Sequence, residues 1–199
     1  MNTPHPDVVR QRYTVTVVDR AAALGQRPVA IWLTGLPGSG KSTLADAVER
    51  ALHERGKHTM VLDGDNMRTG LNADLGFAPE DRRENVRRVG EVARVLADAG
   101  VIPIVALVSP FAADRDAARA LFATDEFVEV FVDTPAQLCA ERDPKGLYRR
   151  AKEGKITNMT GVGQSYEAPT DPELQLSGEG DIGVLTDKIV ALVLDRQSD

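Results

Sequence analysis

The chain has 199 residues, 42% of them hydrophobic and 27% charged, and its formal net charge is −6. A chain of this length forms one domain with a substantial core, and its acidic balance argues against a broad nucleic-acid-binding surface. No apolar run approaches the ~20 residues that span a bilayer, and the polar N-terminus does not resemble a signal peptide. Cys139 is the single cysteine, which excludes an internal disulfide. We therefore expect a cytoplasmic protein without nucleic-acid or membrane partners.

Residues 1–27 are predicted to form a polar N-terminal extension that precedes a domain over residues 28–199. The extension contains one β-branched patch, residues 13–18, which is compatible with an added strand, the start of a helix or an arm that contacts a partner. From there on, strand-like and helix-like segments alternate. They begin with a buried strand at residues 29–34 and an amphipathic helix at residues 43–52.

A glycine-rich motif lies between this strand and this helix. Residues 35–42 spell GLPGSGKS, which matches G-x-x-x-x-G-K-[S/T]. The glycines allow successive backbone N–H groups to converge on phosphate oxygens, and the helix N-terminus favours anions. In such a loop Lys41 reaches the β- and γ-phosphates, and the Ser42 hydroxyl ligates Mg²⁺. The motif and its flanks therefore predict a site for a nucleoside triphosphate.

The remaining pattern predicts an α/β fold of the P-loop NTPase type, in which helices cover both faces of a parallel sheet. Further strands are predicted at residues 58–63, 101–108 and 127–132, and helices at residues 80–99, 114–122, 135–141 and 181–194. Pro103 indicates that the early part of the third strand is an edge or a bulge. Residues 142–172 lack periodicity, as expected of a lid, a binding loop or a disordered segment. Ligands of such sheets bind at the carboxyl ends of the strands, so polar residues there are the site candidates.

Two acidic residues, Asp63 and Asp65, follow the second strand, close to the expected phosphates. A carboxylate there organises Mg²⁺ or accepts a proton from an attacking hydroxyl, and the alternative is an ordinary turn. Arg68 and Arg82 are candidates for a second anion site, because arginine forks recognise sulfate or phosphate oxygens. A nucleotide together with an anionic acceptor predicts a kinase rather than a simple hydrolase.

Other polar residues have more ordinary interpretations. Ser109, after the third strand, contacts substrate or serves as a helix cap, and spacing alone does not decide between the two. Asp133 is either a carboxylate on the nucleotide side or, with Thr134, a cap for the helix that follows, and we favour the cap. Trp32 and Cys139 are interpreted as core residues.

The charged segments also have two interpretations. Arg83 and Arg87 share one helix face and are predicted to be solvated and ion-paired. Residues 142–152 are strongly basic within an acidic chain. They form either a solvated loop with a short helix or a lid that closes positive charge over transferring phosphates and excludes water. We favour the lid, because a kinase must avoid hydrolysing its donor.

Taken in order, these segments resemble adenylylsulfate kinase, the family that phosphorylates the ribose 3′-hydroxyl of adenosine 5′-phosphosulfate (APS). The similarity covers nearly everything between about residue 28 and about residue 176. The glycine-rich motif at residues 35–42, called the P-loop below, is by itself shared by many NTPases. The complete set of matching segments is specific to this family. The matching segments are residues 35–43 (GLPGSGKST), 62–68 (LDGDNMR), 70–77 (GLNADLGF), 81–92 (DRRENVRRVGEV), 109–111 (SPF), 130–135 (VFVDTP), 142–148 (RDPKGLY) and 166–169 (YEAP).

The resemblance implies an enzyme that converts MgATP and APS into ADP and 3′-phosphoadenosine 5′-phosphosulfate (PAPS). The implied ATP site comprises Gly35, Leu36, Pro37, Gly38, Ser39, Gly40, Lys41, Ser42, Thr43 and Arg142. The implied APS site comprises Asp63, Arg68, Phe77, Arg82, Asn85, Val108, Ser109, Lys145 and Met159. Phe77 would stack on the APS adenine. The implied catalytic residues are Lys41, Asp63, Asp65 and Lys145, and the implied Mg²⁺ ligands are Ser42 and Asp63.

One position departs from the family pattern. Where the family usually places a second aromatic residue over the APS adenine, this chain has Met159, whose polarizable sulfur also packs against a ring. The resemblance further implies a homodimer and an association with, or excision from, a sulfurylase-containing protein. The competing hypotheses are a kinase for another small metabolite or nucleoside, and a sensing domain that binds both ligands without turnover.

Overall fold

A five-stranded sheet forms the centre of the part of the chain that the structure, a computed structural model, describes: residues 7–9 and 11–197. Its strands are β1 (Ala30–Thr34), β2 (Thr59–Asp63), β3 (Ile102–Ala106), β4 (Phe127–Asp133) and β5 (Leu174–Ser177). The helices are α1 (Val17–Leu24), α2 (Lys41–His53), α3 (Gly64–Arg68), α4 (Pro79–Asp98), α5 (Ala112–Arg119), α6 (Ala136–Arg142), α7 (Leu147–Lys152) and α8 (Ile182–Asp195). The strand order is β2-β3-β1-β4-β5, and every neighbouring pair is parallel. The predicted α/β fold with a parallel sheet is confirmed.

Successive side chains of a strand point to opposite faces of the sheet. Both faces are apolar here, and helices cover both. Ile31 and Leu33 of β1 pack into one apolar cluster with α2 and α8. Trp32 packs into a second cluster with α4 and α5. Trp32 is fully buried, and its ring stacks on Phe127 at 5.8 Å between centroids, so its interpretation as a core residue is confirmed. None of the helices in the described ranges is long and apolar enough to cross a bilayer.

The β-branched patch at residues 13–18 contains the start of α1. The Thr16 hydroxyl accepts a hydrogen bond from the Asp19 N–H at 3.2 Å, and the Asp19 carboxylate accepts one from the Thr16 N–H at 2.8 Å. This reciprocal capping satisfies two backbone donors that the helix would otherwise leave unpaired. The helix packs beside Gly100, where an added Cβ would lie 3.0 Å from Leu24 Cδ1. Of the three alternatives for the patch, the structure shows the helix start.

Pro103 lies in an interior strand, but the early part of β3 pairs with β2 alone, so the predicted local edge at Pro103 is confirmed. It pairs with Met60 in an unbroken register, and β3 is flanked by both β2 and β1. The Ile102 N–H donates to the His58 carbonyl at 2.9 Å on the β2 side, so the backbone at position 103 faces the β1 side. Pairing with β1 begins only at Ile104. The N–H that proline lacks therefore has no partner to lose.

Asp133 and Thr134 do not cap the following helix, so that interpretation is wrong. Pro135 occupies the cap position of α6 and makes no side-chain cap bond. The Thr134 hydroxyl instead donates to the Ser39 carbonyl at 2.9 Å. The Asp133 carboxylate accepts from the Gln175 amide at 2.9 Å, which links β4 to β5. The end of β4 thus supports both the P-loop and the edge strand.

Candidate functional site

A cavity of about 1050 Å³ lies at the carboxyl ends of β1, β2 and β3, the edge at which parallel sheets bind ligands. The P-loop and the start of α2 line one end of it. The start of α4 and the segment before it line the opposite end. Residues of α6, α7 and the loop after α7 line a third side. The cavity is therefore large enough for more than one small ligand.

The glycines of the P-loop are required by close backbone approaches. Gly35 and Gly38 have φ angles of 149° and 78°, in a region that side chains rarely adopt. An added Cβ at Gly35 would lie 2.6 Å from the Val132 carbonyl oxygen, and one at Gly38 would lie 2.9 Å from the Cys139 carbonyl oxygen. The loop therefore rests directly on β4 and α6. Cys139 is fully buried there, which confirms its interpretation as a core residue.

Lys41 lies under this loop with only 8% of its surface exposed. Its Nζ donates to the carbonyls of Gly35 at 2.9 Å and Leu36 at 2.7 Å, and to the Ser39 hydroxyl at 3.2 Å. Burial lowers the pKa of the Lys41 ammonium to about 8. The lysine thus holds the loop in its curved form, and it also lines the cavity.

Two side chains from distant segments support the P-loop from outside. Thr134 bonds the Ser39 carbonyl, as described above. The Tyr148 hydroxyl donates to the Pro37 carbonyl at 2.9 Å, and burial raises the pKa of Tyr148. Neither residue was predicted to have a role in the site. Tyr148 lies within the matching segment at residues 142–148, which was the available signal.

Ser42 and Asp63 bring two oxygen ligands together between α2 and β2. The Ser42 hydroxyl donates to Asp63 Oδ2 at 2.6 Å, while Asp63 Oδ1 accepts from the Asp65 N–H at 2.9 Å and caps α3. Hydroxyl and carboxylate oxygens suit Mg²⁺, which is commonly held by one or two protein ligands together with substrate phosphates. No cluster of three His, Cys, Asp or Glu side chains suited to a metal occurs within residues 7–9 and 11–197. The pair fits a Mg²⁺ ion that nucleotide oxygens help to hold.

At the opposite end of the cavity, Phe77 presents an exposed aromatic face. Its side chain is 57% exposed, and the guanidinium carbons of Arg68 and Arg82 lie 4.6 Å and 5.6 Å from its ring centroid. The carbonyls of Leu75 and Gly76 accept from Arg68 at 3.0 Å and 2.8 Å and fix its position. A ring flanked by two cations suits a planar ligand that also carries negative charge.

Asn85 and Val108 complete the wall beside these arginines. Asn85 is 5% exposed, and its Oδ1 accepts from Nδ2 of the fully buried Asn72 at 3.0 Å. This bond uses the carbonyl oxygen of Asn85 and leaves its amide N–H groups as donors toward the cavity that it lines. Asn72 has a supporting position that the sequence analysis did not identify.

Residues of α6 and the turn after it close the cavity from above. The Arg142 guanidinium donates to the Gly178 carbonyl at 2.9 Å, which ties the end of α6 to the loop after β5. Lys145 forms an ion pair with Asp65 of α3, across the mouth of the cavity. Both lysine and carboxylate are more than half exposed, so solvent screens this pair and its contribution to stability is small.

The loop after α7 contacts the acceptor end. Arg82 donates to the Asn158 carbonyl at 2.8 Å, and Met159 is 4% exposed while it lines the cavity. Arg150, which belongs to the predicted basic lid at residues 142–152, and Lys155, which lies outside it, also line this side. The basic segment therefore faces the cavity rather than bulk solvent alone.

Three predicted site residues do not line the cavity. Gly35 and Leu36 begin the P-loop, and the Lys41 ammonium donates to their carbonyls. Ser109 is 3% exposed and lies behind the wall, where its hydroxyl accepts from Trp32 Nε1 at 3.1 Å.

The surface interpretation of two arginines on α4 is confirmed. Arg87 pairs with Glu84 at 2.7 Å, and Arg83 pairs with Asp114 at 3.3 Å. Both guanidinium groups are more than half exposed, at 51% and 63%.

The structure gathers most of the predicted residues around one cavity, with a phosphate loop facing a basic and aromatic subsite. This fold and this site together define a P-loop kinase. The predicted residues that line the cavity are Pro37, Gly38, Ser39, Gly40, Lys41, Ser42, Thr43, Asp63, Asp65, Arg68, Phe77, Arg82, Asn85, Val108, Arg142, Lys145 and Met159.

Comparison with known proteins identifies the family. Residues 27–177 match the adenylylsulphate kinase family. The chain is 51% identical over 185 residues to the adenylyl-sulfate kinase of Aeromonas salmonicida. The aligned region covers 92% of this chain and 94% of that protein. The APS kinase CysC of Mycobacterium tuberculosis, solved in complex with AMPPNP and APS, superposes with a TM-score of 0.81 at 48% identity, covering 84% of this chain and 98% of that one. The chain belongs to the adenylylsulphate kinase family.

Some relatives are longer. The bifunctional enzyme NodQ of Azospirillum brasilense is 54% identical over 185 residues, or 92% of this chain. The aligned part is only 30% of NodQ. In that relative the kinase-like region is thus one portion of a larger polypeptide.

Proposed function

We propose that the chain transfers the γ-phosphoryl group of ATP to the 3′-hydroxyl of APS, giving ADP and PAPS. One observation carries the proposal: a single cavity has the P-loop at one end and Phe77 between Arg68 and Arg82 at the other. The complex of the Mycobacterium tuberculosis relative with AMPPNP and APS supports both ligands. The two ends then hold the phosphoryl donor and its acceptor.

The donor end binds ATP through its phosphates. Backbone N–H groups of Gly38 and residues 40–43 converge on the triphosphate, and the N-terminus of α2 adds a favourable field. Lys41 exchanges its carbonyl partners for β- and γ-phosphate oxygens. Arg142, which anchors the end of α6, packs against the base. Thr134 and Tyr148 keep the loop in shape through the Ser39 and Pro37 carbonyls.

Ser42 and Asp63 are the proposed protein ligands of Mg²⁺. Their oxygens already lie 2.6 Å apart, so little rearrangement is needed to present both to one ion. When bound, Mg²⁺ supplies positive charge that stabilises the phosphoryl oxygens. Asp65 keeps Asp63 in place through its backbone N–H.

The acceptor end recognises both parts of APS. Phe77 stacks on the adenine, and Met159 packs nearby from the lid side. Arg68 and Arg82 bind the phosphosulfate oxygens, with donors from Asn85. The backbone at Val108 and Ser109 forms the wall beside the ribose.

The chemical step relies on positioning and on charge stabilisation. Asp63 accepts a hydrogen bond from the 3′-hydroxyl and orients its oxygen toward the γ-phosphorus. As the new P–O bond forms, the 3′-hydroxyl proton passes to the Asp63 carboxylate, the bond from the γ-phosphorus to the β,γ-bridging oxygen breaks, and ADP leaves. Lys41 and Lys145 stabilise the charge that is transferred, and Asp65 holds Lys145 over the site. Residues 142–172 act as a lid that excludes water from ATP.

A coupled assay for ADP release tests the proposal directly. Purified chain with MgATP should release ADP only when APS is added, with PAPS formed in equal amount. ADP release with another acceptor and none with APS would identify a different small-molecule kinase. Tight binding of ATP and APS without ADP release would identify a sensing domain. Either result would replace the proposed function.

We further propose that residues 28–199 form the kinase domain and that the N-terminal extension contacts a second copy in a cytoplasmic homodimer. The exposed apolar side chains Val9, Tyr13 and Val18, each at least 74% exposed, support a contact surface in the extension. Light scattering should give twice the chain mass, and Tyr13→Asp should shift it toward the monomer. A monomeric wild-type chain would contradict the dimer.

We also propose that a sulfurylase supplies APS to this chain, in a separate or a fused polypeptide. The bifunctional name of NodQ supports a link to a second enzymatic activity. Adding an ATP sulfurylase with sulfate and ATP, in place of APS, should sustain PAPS formation. If no PAPS forms in that mixture, although PAPS still forms when APS itself is added, the proposed supply of APS by a sulfurylase would be contradicted.

A further inference from the structure

We infer that Thr34 is a positioning residue, whose single hydroxyl couples the P-loop strand, the acceptor wall and the segment that returns from the lid. The inference rests on the proposed function for its catalytic consequence. Thr34 is the last residue of β1 and directly precedes Gly35 of the P-loop. It is fully buried and does not line the cavity, so it acts only through its neighbours.

The direction of every hydrogen bond around Thr34 is fixed by chemistry. Thr34 Oγ1 lies 2.8 Å from the Val108 carbonyl oxygen, which can only accept, so the one hydroxyl hydrogen of Thr34 goes there. Oγ1 also lies 3.0 Å from Ser109 Oγ and 3.0 Å from the Tyr166 hydroxyl. Both of these hydroxyls must therefore donate to it. Trp32 Nε1, which can only donate, supplies the bond that Ser109 accepts.

This network sets the backbone of the acceptor wall. Ser109 has a φ of 37°, in the left-handed region that non-glycine residues rarely adopt. Such a conformation persists only where the surroundings hold it. The hydroxyl bonds hold Ser109 from one side, and the Arg115 guanidinium holds its carbonyl from the other at 2.8 Å. Val108, the residue before it, lines the cavity beside the acceptor arginines.

The same hydroxyl anchors the chain where it returns from the lid. The Tyr166 ring stacks on Phe131 of β4, with 5.9 Å between centroids. The next residue, Glu167, donates its N–H to the Pro110 carbonyl at 2.8 Å and accepts from the Ala112 N–H at 2.7 Å. The return segment is therefore tied to the loop that follows Ser109. Thr34 is where this segment, the acceptor wall and β1 meet.

Removing the hydroxyl should disturb acceptor binding more than donor binding. Without it, the Val108 carbonyl loses its donor, and Ser109 and Tyr166 lose their acceptor, all in a buried place. The P-loop keeps its own supports, since Lys41, Thr134 and Tyr148 bond it independently of Thr34. The expected defect is a displaced acceptor wall with an intact ATP site.

Thr34→Val, which preserves the shape and removes the hydroxyl, tests this directly. We expect the KM for APS to rise and kcat to fall, each by about tenfold, because small displacements of a bound reactant are costly. The Kd for ATP should stay within about twofold. Thr34→Ser, which keeps the hydroxyl, should restore most of the activity. Thr59→Val, at the start of β2 with a weak 3.4 Å bond to Glu49, is the matched control.

Two results would overturn the inference. One is a Thr34→Val enzyme with unchanged KM for APS and unchanged kcat; the other is a Thr34→Ser enzyme as impaired as Thr34→Val. Should Thr34→Val fail to fold, Tyr166→Phe provides the second variant. Because it removes one hydrogen bond, we expect its KM for APS to rise about threefold or more. An unchanged KM in Tyr166→Phe would then overturn it.

Hydrogen exchange keeps this test separate from that of the proposed function. Should the wild-type chain show no APS-dependent turnover, the proposed function fails, and the coupling is measured on amides alone. Thr34→Val should then speed exchange at residues 107–112 and 160–168 and leave residues 35–45 protected as in the wild type. Unchanged exchange at the first two segments would refute the coupling itself.

Discussion

At the scale of single residues, Lys41 is a buried cation that stabilises the P-loop of the free protein and then binds the phosphates of the ligand. It donates to the carbonyls of Gly35 and Leu36, and burial lowers its pKa to about 8. A bound triphosphate presents anionic oxygens to the same ammonium and so raises that pKa. ATP binding above about pH 8 therefore requires proton uptake by Lys41.

We expect ATP affinity to fall as the pH rises above about 8, because the free protein then loses the Lys41 proton that the complex keeps. Calorimetry at pH 9, in two buffers of different ionisation enthalpy, should detect uptake of up to about one proton per ATP, and much less at pH 7. Lys41→Arg, which stays charged across this range, should abolish the uptake. Equal uptake in Lys41→Arg and the wild type would assign the proton to another group.

Arg82 is predicted to act on the acceptor alone. It flanks Phe77 and reaches the Asn158 carbonyl, but it has no contact with the P-loop. Arg82→Ala should raise the KM for APS by about tenfold or more, the typical loss for a hydrogen bond to a charged group. Its KM for ATP should hardly change. Arg87→Ala, on the exposed face of the same helix, is the control, and an equal defect in both variants would remove Arg82 from the site.

At the scale of elements, the sequence predicts those helices, strands and loops whose conformation depends on residues that are close together in the chain. The P-loop was predictable because its glycines and its flanking strand and helix are contiguous. The five-residue helix α3 was not, because its D-G-D-N segment has the composition of a turn. The four-residue strand β5 is too short for a clear alternation and exists by pairing with β4.

Side-chain supports of the site were hidden for a different reason. Thr134 and Ser39 are 95 positions apart, and Tyr148 and Pro37 are 111 apart. Such pairs are brought together only by the strand order and the path of the lid, which one sequence does not specify. Their residue types, threonine and tyrosine, also have many uses besides the support of a phosphate loop.

The contact between α7 and the P-loop leads to a prediction at this scale. Tyr148→Phe removes the hydroxyl that bonds the Pro37 carbonyl and leaves that carbonyl without its partner. Since one such bond contributes roughly 1 kcal/mol, we expect the KM for ATP to rise about three- to tenfold. Thr59→Val is the control, because it also removes a hydroxyl and lies at the start of β2, outside the residues that line the cavity. Steady-state kinetics with ATP varied at saturating APS measures the effect, and a wild-type KM would argue against support of the P-loop by α7.

At the scale of the whole molecule, a buried ion network joins the sheet to α5 behind the acceptor wall. Arg115 Nε donates to Glu129 Oε1 at 2.8 Å, and both side chains are less than 10% exposed. Arg119 bridges Glu129 and Glu173, at 3.1 Å and 2.6 Å. Because Arg115 also holds the Ser109 carbonyl, the network links the stability of the fold to the shape of the site.

The network predicts a large asymmetry between two arginine substitutions. Arg115→Met leaves the Glu129 carboxylate buried with less compensation, which should lower the free energy of unfolding by about 3–5 kcal/mol. Arg50→Met removes an exposed pair with Asp46 at 2.8 Å, which should cost no more than about 0.5 kcal/mol. Urea unfolding, followed by circular dichroism, measures both.

A third variant separates loss of charge compensation from loss of packing. Arg115→Met combined with Glu129→Leu removes both buried charges, so it should recover much of the stability lost in Arg115→Met. It should not recover the KM for APS, because the Ser109 carbonyl still lacks its donor. A double variant as unstable as Arg115→Met would show that the arginine acts by filling space, whereas full recovery of the KM would show that the acceptor wall does not depend on it.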